Sequence, residues 1–331
     1  MNVKNPHVLF IRLSSLGDVA LTIPVIKNFI LQNPTVKVSV VSKSFHAPLF
    51  DSLENIHFIA FDSNEHKGFL GLLSFIRNHL YSQNFTHIID LHDVLRSKII
   101  RLSYLFKKVD VTCFDKGRAK KLQAIQNKTI QHTALIHVTE RYANAIRNVG
   151  FKCELKDRDQ SLKIVKKDKY SIGIAPLSKH FTKNFPLEKL SILIRRIVED
   201  KRYHIKILCA SKEQKQLTSL MINEQISFLS KESNFKKELD AIKELDLVIS
   251  MDSANMHIAS IYQVPVITIW GGTHPNIGFT SYYKNNINIQ TDLACRPCSI
   301  YGRSACPVGH FNCMMQQDIE SILSEIKQLV V

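Results

Sequence analysis

At 331 residues, with 45% hydrophobic side chains, 11 glycines and 10 prolines, the chain has the composition of a folded globular protein. It is long enough for two domains with separate cores, and it holds neither a low-complexity tract nor an apolar run that would span a bilayer. The formal net charge is +15, and residues 1–165 carry +10 of it, from 23 Lys+Arg against 13 Asp+Glu.

The first apolar run, His7–Leu13, is short and rich in β-formers, so it reads as a buried strand of a parallel sheet. No signal peptide precedes it, so a cytoplasmic location is expected. The seven cysteines are then thiols or metal ligands rather than disulfides. Ser14, Ser15, Leu16, Gly17 and Asp18 follow, where the strand hands over to a helix, Val19–Gln32. Ligands of open α/β sheets gather at that edge, so Asp18 stands where a carboxylate base would act. The structural alternative is a helix cap, with Gly17 easing the turn.

Further strands are expected at Val36–Ser42, Ile56–Phe61, His87–Leu91 and Val109–Phe114. Helices are expected at Leu70–Tyr81, Val94–Phe106 and Ala134–Val149, the last ending at Gly150 as a C-cap. The fourth strand ends in Asp90-Leu91-His92-Asp93, again at the ligand-bearing edge. With His87 nearby, this set suits sugar hydroxyls or a phosphate better than a metal. Arg96–Lys121 holds nine basic residues and two acidic ones. An anionic membrane surface, an acidic glycolipid or nucleic acid would each be drawn to it; a solvated basic face is the alternative. No nucleic-acid module accompanies it.

The polar stretch Lys152–Lys169 reads as the linker, dividing the chain into residues 1–160 and 161–331. Alternation restarts with strands Ser171–Ala175, His204–Ala210, Leu245–Ser250 and Val264–Trp270. Helices Leu187–Asp200, Lys212–Asn223, Asn234–Glu244 and Ser253–Tyr262 fall among them. Two β/α series in succession predict an α/β protein of two doubly wound domains. A last amphipathic helix, about 317–330, could pack on either domain.

The third strand of the second series leads into Met251-Asp252-Ser253-Ala254-Asn255-Met256-His257. Asp252 or Ser253 can cap the next helix, whose free backbone N–H groups then face an anion. His257 lies one turn in, as a ligand contact or as a satisfied core histidine. Gly271-Gly272-Thr273-His274-Pro275 then forms a turn that lets a ligand approach the backbone closely. Upstream, the loop Leu177–Phe185 carries Ser178, Lys179, His180, Thr182 and Lys183. Near the C-terminus, Cys295, Cys298, Cys306 and Cys313 place four thiols within 19 residues. They suffice for one tetrahedral structural zinc, although the spacing is unlike a common zinc ribbon; reduced thiols in a packed loop, or an occasional disulfide, are the alternatives. Cys113, Cys153 and Cys209 read as small core residues.

These segments resemble glycosyltransferase family 9, the bacterial ADP-heptose:lipopolysaccharide heptosyltransferases. Ser15-Leu16-Gly17-Asp18 matches the S-x-G-D element of that family, and Gly271–Pro275 its G-x-T-x-P element. Asp252–His257 matches the D-[ST]-G-x-x-H element, with Ala254 in place of the glycine. The resemblance implies a GT-B fold, two Rossmann-like domains facing a central cleft, with the acceptor on the N-terminal domain and the ADP-sugar on the C-terminal one. It implies an inverting, metal-independent transfer in which Asp18 is the general base. Lys183, three residues before Pro186, would steady the leaving diphosphate, with Lys179 as its rival. An ordinary aspartate titrates at about 4 and is a weak base, and desolvation in a closed cleft would raise it.

By the same resemblance, Ser178, Thr182, Asp252, Ser253, Ala254, His257, Gly271, Gly272 and Thr273 are further candidate donor contacts. Ser14, Ser15, Gly17, Asp90, His92, Arg96, Lys98 and Arg101 are candidate acceptor contacts. Ser211 and Lys231 are positional candidates for the adenine pocket. The expected partners are ADP-heptose or a similar nucleotide sugar, the lipopolysaccharide inner core or a related anionic glycolipid, and the inner face of the cytoplasmic membrane. No nucleic acid, no required cofactor and no more than a monomer are expected. A GT-B enzyme with another donor and a non-catalytic nucleotide-sugar-binding protein are the rival functions.

Overall fold

Residues 5–160, 164–229, 234–284 and 286–329 are described by the computed structural model. Strands β1 (His7–Ile11), β2 (Lys37–Lys43), β3 (Ile56–Phe61), β4 (His87–Asp90) and β5 (Asp110–Cys113) form one sheet, ordered β3-β2-β1-β4-β5. All its pairings are parallel. Helices α1 (Leu16–Ala20), α2 (Thr22–Gln32), α3 (Gly68–Phe75) and α4 (Leu95–Leu102) connect these strands, and α5 (Arg118–Gln126) and α6 (Val138–Arg147) follow β5. Every residue of β1 is buried, as a central strand covered on both faces requires.

A second sheet contains β6 (Tyr170–Ala175), β7 (Tyr203–Ile207), β8 (Ile226–Phe228), β9 (Leu247–Met251), β10 (Val266–Trp270) and β11 (Ile287–Gln290). Its order is β11-β10-β9-β6-β7-β8, again with parallel pairing throughout. Helices α7 (Leu187–Val198), α8 (Gln214–Leu217), α9 (Phe235–Lys243), α10 (Ala254–Ile261), α11 (Asn312–Met315) and α12 (Ile319–Leu329) complete it. Helix α7 buries Leu190, Leu193, Ile194 and Ile197, the apolar stripe that its 3.6-residue period dictates. Each such side chain contributes about 1.5–3 kcal/mol of burial. Asn234 caps α9 by accepting the Lys237 N–H at 3.0 Å. Among the described residues no helix is long and apolar enough to cross a membrane.

The chain divides into two units, residues 1–116 with 138–156, and 117–137 with 157–331. The excursion 117–137 belongs to the second unit for physical reasons. Ile130 packs with Ala124 and Ile277, Leu135 N–H donates to Asn276 O at 2.8 Å, and Gln131 Nε2 donates to Arg296 O at 2.9 Å. The last helix, α12, also stays within the second unit. Its Ile322, Leu323 and Ile326 join that core, and Glu320 meets Arg196 of α7 at 2.6 Å.

Several elements differ from those the sequence predicts. The helix expected at Val19–Gln32 starts at Leu16 and is interrupted at Leu21, three residues before Pro24. That places Asp18 in the first turn instead of ahead of it. The helix expected over Lys212–Asn223 breaks into short turns around α8. Strands β8 and β11 and helix α5 were not predicted from any periodicity. The two strands are the edges of their sheet and are only partly buried, so they carry no continuous apolar run. Helix α5 buries only Lys121 and Ala124 and has no apolar stripe to read.

Candidate functional site

Strand order reverses between β1 and β4 in the first sheet and between β6 and β9 in the second. At such a point the connections leave to opposite faces and a crevice opens beyond the carboxyl ends of the strands. Both groups of candidate residues fall at these two places.

In the first unit, β1 runs into Arg12–Asp18 and β4 into Leu91–Asp93. The Leu13 N–H donates to His92 Nδ1 at 3.4 Å, and His92 Nε2 lies 3.2 Å from Ser14 Oγ. With Nδ1 accepting, the ring proton sits on Nε2 and points at the serine. Burial, reinforced by the Arg12 charge, pushes His92 down to about 3, so the ring is neutral. Asp18 is the third residue of α1, its side chain 20% exposed. Arg12 Nη2 lies 2.7 Å from Oδ1, while Oδ2 accepts the Ser15 hydroxyl and, at 3.3 Å, the Ser15 N–H. Asp18 therefore closes the start of its helix and still presents a carboxylate edge.

Arg12 escaped the sequence reading, although a lone charge at the end of an apolar strand is a signal. Its guanidinium donates to Leu91 O and lies 5.8 Å from the ring centroids of both Phe114 and Tyr142. Asp90, predicted as an acceptor contact, is completely buried. Its Oδ1 accepts the N–H groups of His92 and Asp93 at 2.8 and 2.9 Å, and Arg101 Nε stands 3.1 Å from Oδ2. Its role is to shape the turn that presents His92. Asp93 in turn meets Arg101 at 3.1 Å and Lys98 and Lys116 at 3.7 Å each. Ligand atoms of Asp90, Asp93 and Cys113 lie within 4.8 Å of one another. The surrounding cations already neutralise those carboxylates, however, and burial, with Asp90 nearby, pushes the Cys113 thiol up to about 12. As it stands the group is an ion-pair network in which Arg101, Lys98 and Lys116 balance the two carboxylates. Gly17 is buried in α1, and Arg96 lies 5.8 Å from the Phe61 ring centroid.

In the second unit, the loop after β6 brings Lys183 to the end of β9. Lys183 Nζ stands 2.8 Å from Asp252 Oδ2, and the Thr273 hydroxyl donates to the same oxygen at 2.7 Å. Three predicted residues from three loops thus converge on one atom. Lys179 is exposed, and the partner of Asp252 is Lys183. Ser178 Oγ reaches Asp252 O at 3.5 Å. Ser253 is the N-cap residue of α10 and Ala254 its first residue, both half-buried, so the helix begins beside the Lys183–Asp252 pair. His257 is buried deeper, its ring edge-on to Phe279 at 5.5 Å, instead of being displayed at the helix start.

The glycine turn is fastened from below. The Gly272 N–H donates to Thr182 O at 2.8 Å, and the Thr182 hydroxyl accepts the Arg303 N–H at 2.8 Å. A Cβ on Gly271 would stand 2.4 Å from Thr182 O, so the close approach needs glycine. Arg296, buried and unforeseen, donates to Gly271 O at 2.7 Å, Thr273 O at 2.8 Å and Thr291 O at 2.6 Å. A single arginine between two cysteines gives no signal in sequence. Ser211 is exposed at the start of a short turn, and Lys231 lies outside the described residues.

Cys295, Cys298, Cys306 and Cys313 line one cavity of about 110 Å³, together with His310, and all are free thiols. Burial raises Cys306, but the N–H groups of Phe311, Val308, Gly309 and His310 outweigh it and hold the thiol below its ordinary value. No three of these thiols come within 4.8 Å of one another. The donor set suits a soft divalent ion, and closing around one requires the sulfurs to draw inward.

A family model for glycosyltransferase family 9 (heptosyltransferase) matches residues 74–308. The lipooligosaccharide heptosyltransferase 2 of Campylobacter jejuni serotype O:6 is 29% identical over 133 residues, 38% of this chain and 41% of that protein. The chain thus matches less than half the length of that relative. The lipopolysaccharide core heptosyltransferase OpsX of Haemophilus influenzae is 23% identical over 347 residues, covering 96% of this chain and 95% of that protein. The E. coli heptosyltransferase WaaC, solved with ADP, superposes with a TM-score of 0.70 at 17% identity, over 97% of this chain and 99% of that one. At that identity the likeness is one of fold, the α/β GT-B class.

Proposed function

The chain belongs to glycosyltransferase family 9 (heptosyltransferase), and on that premise we propose that it moves a heptose, or a closely similar sugar, from ADP-heptose to the lipopolysaccharide inner core or a related anionic glycolipid. The observation that carries the reading is the placement of Asp18 at one switch point and of Lys183, Asp252 and Thr273 at the other. The full-length match to a lipopolysaccharide core heptosyltransferase supports the acceptor class, and the ADP-bound structural relative supports the donor class.

In this reading the acceptor hydroxyl attacks the anomeric carbon while Asp18 takes its proton. The bond from that carbon to the diphosphate oxygen breaks, its electron pair leaves with ADP, and the single displacement inverts the anomeric centre. Lys183 and the N-terminus of α10 receive the charge that develops on the diphosphate. Asp252 and Thr273 hold the ammonium in place. No step uses a metal; an ion held by Cys295, Cys298, Cys306 and Cys313 would act as a structural clasp. The chain works as a peripheral protein on the inner face of the cytoplasmic membrane.

The test is transfer from ADP-heptose to deacylated lipopolysaccharide core, with a UDP-sugar as the competing donor. Product formed from ADP-heptose alone supports the reading. Turnover of the UDP-sugar instead reassigns the donor, and ADP binding without transfer to any core acceptor favours a non-catalytic sugar-nucleotide binder.

A further inference from the structure

Between α4 and the edge strand β5, the first unit displays apolar side chains that no sugar chemistry requires. Leu102 and Leu105 are exposed and Phe106 is 99% exposed, with Val111 of β5 beside them. Leu102, Leu105 and Val111 line an open groove of about 560 Å³, with Lys98 at its wall. Within residues 95–111, Arg101 and Lys98 are paired with Asp90 and Asp93, which leaves Arg96, Lys107 and Lys108 against the acid Asp110. Lys107 and Lys108 directly follow Phe106 and are exposed, and Lys107 Nζ is held 3.9 Å from the Tyr81 ring centroid.

A contiguous exposed apolar surface of this kind marks an interaction site. Protruding Leu and Phe flanked by lysines match an anionic bilayer: the rings and alkyl chains enter the acyl boundary while the ammonium groups stay among phosphates. The fully exposed Phe106 and its two neighbouring cations also fit that partner better than a protein face. A protein interface would supply a pocket for the ring and depletes lysine at its centre.

We propose that the turn 102–108, with the groove beside it, is the segment through which this chain docks on an anionic phospholipid surface. The proposal rests on the functional reading above only for its purpose; its physics stands without it. Docking there brings the first unit to the place where a lipid-anchored acceptor is displayed.

The test is co-sedimentation of the full chain with vesicles of phosphatidylcholine alone, or of phosphatidylcholine mixed equally with phosphatidylglycerol. Wild type binds the mixed vesicles, and added salt releases it. The double variant Leu105→Ser/Phe106→Ser loses about tenfold or more of that partitioning. In Lys107→Gln/Lys108→Gln each lost charge weakens binding about fivefold. Leu31→Ser, which removes an exposed apolar side chain on α2, changes nothing. Thermal melting checks that each variant folds as wild type does. Equal binding of both double variants and wild type overturns the proposal, as does failure of wild type to bind mixed vesicles. A concentration-dependent dimer abolished by the Leu105/Phe106 variant also overturns it, assigning the patch to a second copy of the chain. Transfer to a soluble deacylated acceptor, measured in parallel, fails only if the functional reading is wrong.

Discussion

Arg12 and Asp18 form an ion pair, Nη2 to Oδ1 at 2.7 Å, that ties the end of β1 to the first turn of α1. The arginine is itself anchored on Leu91 O, so the carboxylate is positioned from two strands at once. Asp18→Asn keeps the shape and the contact with Ser15 but removes the proton acceptor. Turnover should fall by about 10²–10⁴, the usual contribution of a general base, while ADP binding measured by calorimetry stays put. Undiminished turnover would return Asp18 to helix capping alone. Arg12→Lys keeps the charge and loses the fork geometry, so it should lie between the two.

Lys183 and Asp252 are both nearly buried, so removing one strands the other. Lys183→Met is expected to weaken ADP binding at least about tenfold and to lower stability by about 3–5 kcal/mol, the figure for a buried charge left unpaired. Adding Asp252→Asn should restore part of the stability but not the affinity. A double-mutant cycle on urea melting should then give a coupling of about 1–3 kcal/mol. Additive losses would mean that the two side chains do not act as a unit.

The glycine turn makes a graded prediction. A Cβ at Gly271 meets Thr182 O at 2.4 Å and Met314 Cε at 2.6 Å, whereas at Gly272 the nearest atom is the Thr182 Cβ at 3.0 Å. Gly271→Ala should therefore destabilise by about 1–3 kcal/mol, with Gly272→Ala milder. Thermal shift of the two variants, with and without ADP, separates loss of fold from loss of the site.

Three buried histidines set a pH dependence. His92 is pushed to about 3, and burial likewise brings His46 and His274 to about 4, Lys43 adding to the first and Arg296 to the second. Their ordinary value is 6.5, so below it the unfolded chain binds protons that the folded chain refuses. Stability is then fully present above about 6.5 and falls as pH drops toward 4, by a few kcal/mol in order of magnitude. Urea denaturation at pH 7.5, 5.5 and 4.5 follows it. His92→Gln should flatten part of that slope, and an unchanged slope would mean that His92 is charged in the fold.

The central strands of both sheets were legible because central parallel strands must be apolar throughout, whereas the half-exposed edge strands β8 and β11 were not. Asp252 was legible because it stands directly beyond such a strand and Asp18 because it lies where a strand hands over to a helix, whereas Lys183 was picked out by the family resemblance and its spacing to Pro186. What stayed hidden depends on contacts distant in sequence. Arg296 acts through carbonyls of Gly271, Thr273 and Thr291, and no local pattern announces that. Thr182 and Asp90 were read as ligand contacts, yet both serve as fasteners of the loops around them. His257 was placed correctly on its helix, but no local pattern told that its ring turns inward to meet Phe279.

The excursion of residues 117–137 into the second unit makes the first one discontinuous in sequence. Helix α6 emerges from a ribosome only after that excursion has been made, so the first sheet cannot acquire its last helix until part of the other unit already exists as chain. A gene cut near residue 160 would therefore yield no pair of autonomous halves. The upstream fragment would carry Ile130 and Leu135 without the Ile277 and Asn276 they join, and the downstream fragment would lack the strap that covers its own turn. Each half would then leave behind contacts that the other half completes.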